Sequence, residues 1–228
     1  MNSRKIKQNI LSQQTANPNP FGANVSQKIH AKYSNITDPV GLIQLDGESL
    51  CTGFLVGQRN LMSAGHCDQM DKCRQQYEEY GADRYQVVFG YDQEEKDRPS
   101  PHAYSVKEIK GFYKCNDSYD VASFKLSSDA AYKQFGKLQL QEPYIKKQKI
   151  MVPHHPNGQT KKLSAGNVVA YYPQVGLFGH TANTLPGSSG APVVSENSGN
   201  VIGVHVSGGK KENYALPSTT ILAALKPR

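Results

Sequence analysis

From residue 40 onward, short hydrophobic and β-branched runs alternate with turn residues. The runs read "VGLIQL", "CTGFLV", "NLMSA", "YQVVFG", "YSVKEI", "DVASFKL", "KIMV", "NVVAYY", "APVV", "VIGVHV" and "NYAL". Most have the length and residue types of strands in all-β proteins. One late stretch, "TTILAALK" (219–226), has a helical pattern, with Ser218 or Thr219 placed to cap it. The insert "CRQQYEEYGADR" (73–84) has room for one helical turn or two. Residues 1–38 are rich in Asn, Gln, Ser and Pro, lack periodicity, and read as a leader or an arm. No repeat stands out. About eleven short strands and a terminal helix predict two packed barrels or a sandwich.

Composition narrows this reading. The 228 residues suffice for one large or two small cores. The net charge of +7 sits partly in short lysine groups at 146–149, 161–162 and 210–211. No basic helix or aromatic-interleaved motif accompanies them, so no nucleic-acid partner is expected. A positive field does draw acidic substrates. No apolar run approaches the roughly 20 residues that span a bilayer, so no membrane partner is expected either. Residues 1–24 are polar and hold no signal-like stretch. The four cysteines, Cys51, Cys67, Cys73 and Cys115, form no C-x-x-C pair, so a zinc cage is not expected. Two disulfides fit better and imply an oxidising compartment, hence a secreted or periplasmic protein.

The stretch "TLPGSSGAPVV" (184–194) places two serines between glycines ahead of an apolar run. Taken alone it is a turn entering a strand. It lacks the final glycine of the G-x-S-x-G elbow, and no strand–helix alternation surrounds it. Its other use is an oxyanion hole, in which the N–H groups of Gly187 and Ser189 converge and Ser189 is the nucleophile. A serine nucleophile needs a base, and His66 ends the run "CTGFLVGQRNLMSAGHC" (51–67). The imidazole needs an acid, and Asp120 stands at the mouth of "YDVASFKL" (119–126). Each alone is a strand-end or turn residue. Together they follow one of the known chain orders of the triad.

"SAGHC", "YDVASFKL" and "GSSGAPV" resemble the three catalytic blocks of the chymotrypsin-like serine proteases, over roughly residues 39 to 226. The resemblance implies two six-stranded antiparallel β-barrels with a C-terminal α-helix. The first barrel would span about 39–130, the second about 137–216, and the helix 218–226. It also implies a disulfide between Cys51 and Cys67; Cys73 and Cys115 would lie in the two loops that flank the cleft, and their pairing follows only by elimination. The activity implied is peptide hydrolysis by a monomer acting on protein or peptide substrates.

Asn183 stands six residues before Ser189, where trypsin-like enzymes carry Asp, so a preference for Lys or Arg is not expected. Thr184, together with His205 in "VIGVHVSGG" (201–209), resembles the acid-binding pair of the bacterial glutamyl endopeptidases. That likeness implies a preference for Glu or Asp before the scissile bond. Gln or a small apolar residue is the alternative, and a non-catalytic binding domain is the rival class. "HHPNGQTKKLS" (154–164) is shared with bacterial lysyl endopeptidases, and His154 and His155 read as loop residues rather than metal ligands. Residues 1–24 resemble a propeptide whose removal would free the amine of Val25 to help hold an acidic substrate. No cofactor is expected. "YDQEEKDRP" (91–99) offers acidic oxygens of the kind calcium takes, but reads first as a solvated loop. "NIT" (35–37) and "NDS" (116–118) match glycosylation sequons.

Overall fold

The computed structural model describes residues 22–24, 27–67, 81–92, 101–111, 120–141 and 143–225. Val25, Cys73, Cys115, the "NDS" sequon and residues 93–99 of the acidic loop lie outside them.

The first barrel follows from the period-two pattern. β5 (Tyr85–Phe89) buries Tyr85, Val87 and Phe89 and leaves Gln86 and Val88 half-buried. It joins β2 (Val40–Leu45), β3 (Glu48–Leu55), β4 (Asn60–Ser63), β6 (His102–Gly111) and β7 (Ala122–Leu126). The order of this closed barrel is β2-β3-β4-β7-β6-β5. Phe54, Leu61 and Phe124 fill its interior. The β2–β3 hairpin turns at Asp46 (φ 52°) and Gly47 (φ 84°). Two consecutive left-handed residues suit the twist of a tight hairpin, and Asp-Gly tolerates them.

The second barrel comprises β8 (Lys149–His154), β9 (Lys162–Tyr172), β10 (Leu177–His180), β11 (Pro192–Ser195), β12 (Val201–Ser207) and β13 (Asn213–Pro217). Its order is β9-β10-β13-β12-β11-β8, closed by pairing of β8 with β9. β10, β11 and β12 are buried at every position, so these runs read as continuous rather than alternating. The terminal helix, here Ser218–Leu225, follows β13 and buries Ile221.

Four elements depart from the sequence reading, the first being β10, whose "LFGH" is not among the eleven runs read as strands. Gly22–Asn24, in the stretch read as a leader, forms β1 and pairs antiparallel with Ser164, Leu163 and Lys162 of β9. This edge pairing is made by the backbone, so Gly-Ala-Asn gives no side-chain signal of it. Gln27–Thr37, read as part of an arm, forms helix α1. Ile36 is buried and Tyr33 packs against the core one turn before it. A short helix α2 (Ala130–Phe135) follows β7, and its Phe135 stacks on Phe89 at 5.3 Å.

Candidate functional site

The register of the first barrel brings His66 and Asp120 together. β4 pairs with β7 so that Ser63 faces Ala122. The chain just after Ser63 and the chain just before Ala122 therefore leave the barrel side by side. His66 lies in a 3-10 turn (Gly65–Cys67) after β4. Its Nδ1 is 2.8 Å from Asp120 Oδ2, and its backbone N–H donates to Asp120 Oδ1 at 2.8 Å. The carboxylate grips both the ring and the main chain of His66, which fixes the position and the tautomer of the imidazole. Burial alone would raise the Asp120 pKa. The charge of His66, its two hydrogen bonds and one from the Gly65 backbone outweigh burial and hold it below the usual value. Cys67 is joined to Cys51 on β3, pinning the turn to the barrel. A loop of this length stabilises by about 3 kcal/mol through the unfolded chain. Among the described residues one Cys/His cluster has metal-like spacing, Cys51, His66 and Cys67, but both sulfurs are spent in that disulfide.

Ser189 comes from the second barrel, in the loop between β10 and β11. Its carbonyl accepts the N–H of Thr52 on β3 at 2.9 Å, with Cys67 Sγ 3.8 Å away. The residue carrying Ser189 thus rests on the neighbour of His66, across the seam between the barrels. Gly190 permits this approach. A Cβ there would lie 2.0 Å from Ser63 Oγ and 2.2 Å from the Thr52 carbonyl. The two serines separate by burial: Ser188 is fully buried and Ser189 half-buried.

The backbone around Ser189 has an unusual hydrogen-bond account. The Pro186 carbonyl accepts the Asn157 N–H at 2.6 Å, and the Ser188 carbonyl accepts the Ala191 N–H at 3.0 Å. In a trans peptide the N–H points opposite to the C=O. Both carbonyls are tied down, so the N–H groups of Gly187 and Ser189 point away from those partners. Neither donates to any described group. Gly187 has φ +86°, a conformation that favours glycine. Two fixed, unpaired donors beside a half-buried hydroxyl can receive a developing oxyanion.

Of the residues read as a specificity pocket, Asn183 and Thr184 lie earlier in this loop and His205 lies on β12. Thr184 is buried and its hydroxyl has no hydrogen-bond partner among the described residues; Asn183 beside it is half-buried. His205 is buried on β12, with Nδ1 3.3 Å from His180 Nε2. Burial pushes the His180 pKa down to about 3, with His154 adding to the shift. Burial, then His180, His154 and His66, holds His205 well below the ordinary value. Both rings are neutral near neutral pH. His180 Nδ1 has no partner among the described residues. The His205 ring also hydrogen-bonds the Tyr214 backbone, which partly opposes the downward shift.

His154 is a correction to the sequence reading: it ends β8 rather than lying in a loop, while His155 follows in the loop, and both are buried. His155 stacks on Tyr91 at 6.0 Å between centroids. Lys161, one of the lysine pair at 161–162, is fully buried 3.3 Å from Asp92 Oδ1. His180 was missed. Its only sequence signal is a histidine closing the wholly apolar run "LFG".

A family model described as a trypsin-like peptidase domain matches residues 51–204. Among solved structures, a Glu endopeptidase in complex with MPD superposes with a TM-score of 0.71 at 18% identity, covering 92% of this chain and 97% of that one. Neuropsin, a serine protease expressed in the limbic system of mouse brain, gives 0.62 at 18% identity, covering 85% and 96%. A mutant of human heparin binding protein gives 0.62 at 17%, covering 83% and 90%. No curated protein matches the chain. At these identities the structural likeness speaks for the fold alone: two antiparallel barrels and a C-terminal helix.

Proposed function

Since this chain belongs to the trypsin-like peptidase family and is a serine-type endopeptidase, we propose that Ser189, His66 and Asp120 carry the reaction, with Gly187 and Ser189 supplying the oxyanion hole. Ser189 Oγ attacks the scissile carbonyl and His66 Nε2 takes its proton. Asp120 keeps the other ring proton on Nδ1 and stabilises the imidazolium. The two unpaired N–H groups receive the oxyanion. His66 then protonates the leaving amine, and water repeats the sequence on the acyl-enzyme. The observation that carries this reading is the two-point grip of Asp120 on His66, together with two donors that have no acceptor among the described residues.

We further propose that the substrate side chain before the scissile bond is Glu or Asp. Thr184 offers an unpartnered hydroxyl, and His205 offers an imidazole backed by His180. Both suit a carboxylate oxygen. A bound carboxylate raises the pKa of His205 and recruits a proton, which compensates the buried charge. A second reading rests on Glu212. Its Oε2 is buried without a partner, while Oε1 accepts from Tyr172 and Tyr214. In that reading a basic side chain is held instead. His205→Ala separates them. Cleavage after Glu should fall at least tenfold more than cleavage after Leu, measured as kcat/KM on matched peptides. Equal losses make His205 structural, and preferred cleavage after Lys or Arg moves recognition to Glu212.

The Cys51–Cys67 disulfide supports action outside the reducing cytosol. No described helix is long and apolar enough to cross a membrane. Activity in the culture medium of the producing cell, rather than in its lysate, is the expected result. Activity confined to the lysate would contradict it.

A further inference from the structure

The segment "HHPNG" (154–158) is not used by the catalytic reading, yet it is moulded to the loop that carries the oxyanion donors. We propose that His154 is a positioning residue which, through Ser188, holds the Gly187 and Ser189 N–H groups in catalytic orientation. This rests on the serine-protease reading above.

The hydrogen bonds form a continuous chain. Ser188 Oγ accepts the Leu185 N–H at 3.1 Å and lies 2.7 Å from His154 Nδ1. His154 Nε2 lies 3.1 Å from Ser164 Oγ, and a neutral ring keeps both contacts with its proton on either nitrogen, since each hydroxyl both donates and accepts. Burial, assisted by the nearby Lys162, lowers the His154 pKa to about 3, so the ring stays neutral across the working range. The strut runs from β9 through β8 to the oxyanion loop, inside the second barrel.

Ser188 is the residue between the two donor peptides. Its N–H closes a turn onto the Leu185 carbonyl at 3.0 Å. The same segment holds the other side. The His155 N–H donates to Thr52 Oγ1, which donates to the Gly187 carbonyl at 2.8 Å. Asn157, left-handed at φ 52°, donates its N–H to Pro186. The fit is close: a Cβ on Gly187 would meet the His155 carbonyl at 2.9 Å. No charged group is needed to hold the loop at this point. A neutral histidine and two serines do it.

The test compares His154→Phe, His154→Asn and Ser188→Ala in the full chain, with Ser189→Ala as control. His154→Phe should lower kcat on a small peptide ester by about 100-fold, the scale of one lost oxyanion donor, while KM changes by less than about threefold. Affinity for a peptide aldehyde should fall in parallel with kcat/KM, since the aldehyde adduct needs the same donors. His154→Asn keeps an acceptor near the Nδ1 position and should recover most of the rate. Ser188→Ala should reproduce the loss with the fold intact by near-ultraviolet circular dichroism. Ser188→Ala at wild-type kcat overturns the proposal, whether or not His154→Phe folds. A fall in KM-controlled binding with kcat unchanged overturns it as well. Turnover that survives Ser189→Ala instead defeats the underlying nucleophile assignment, a separate outcome.

Discussion

Ser189→Ala is expected to lower kcat for peptide-bond and ester hydrolysis by about a million-fold, leaving the roughly 10³–10⁴-fold acceleration over water that binding and an oxyanion hole sustain alone. The structure makes this a clean test. The Ser189 side chain has no hydrogen-bond partner in the described structure. The contact that seats the residue, from the Thr52 N–H to its carbonyl, belongs to the backbone and survives the substitution. The Gly187 and Ser189 N–H groups also remain, so substrate affinity should change little. Steady-state kinetics with a thermal melt on the same preparation checks both parts. A melting temperature within a degree or two of wild type is expected alongside the collapse in kcat.

Asp120→Asn should lower kcat by about 10⁴-fold, the scale of the tautomer effect in a Ser-His-Asp triad. The mechanism is specific to this geometry. In the native protein one carboxylate oxygen accepts the His66 N–H and the other accepts Nδ1–H. Asparagine has one acceptor oxygen. If it keeps the backbone bond, its NH₂ group faces Nδ1 and donates to it. The ring proton then moves to Nε2, where the base is needed, and Ser189 loses its proton acceptor. The variant should also differ in its pH dependence of stability. Asp120 has a folded pKa below its ordinary 3.8, so its stabilising contribution is present above that value and is lost as pH falls through the lower, folded value. Asparagine has no such dependence. The gap in melting temperature between the two proteins should therefore narrow as acid is added below about pH 4. A gap that stays constant would mean that Asp120 is not held ionised by His66.

The sequence made the proposed catalytic seam readable for a physical reason. Strand alternation such as that of β5, the Asp46-Gly47 hairpin and the apolar run before Asp120 are local patterns. They place strand ends, and strand ends are where His66 and Asp120 emerge. Gly187 and Gly190 were visible as glycines, and each proves to sit at a close backbone approach with positive φ. What stayed hidden is non-local. β1 pairs with the edge of β9 through its backbone, and Gly-Ala-Asn carries no strand preference. Helix α1 anchors through Tyr33 and Ile36 within an otherwise polar stretch. "HHPNGQTKK" has the composition of a solvated loop, since polar residues usually face water. Here His154 is satisfied by Ser188 and Ser164, and Lys161 by a residue of the other barrel. Nothing local reveals such partners, of which Ser188 lies 34 residues away.

The most direct measurement is mass spectrometry of the intact protein after reaction with a fluorophosphonate, followed by peptide mapping. The expected result is a single adduct on Ser189, formed at neutral pH and absent after His66→Ala. A protein that cleaves peptides while Ser189 stays unlabelled, or that labels equally well without His66, would contradict the proton-transfer chain on which the catalytic roles depend.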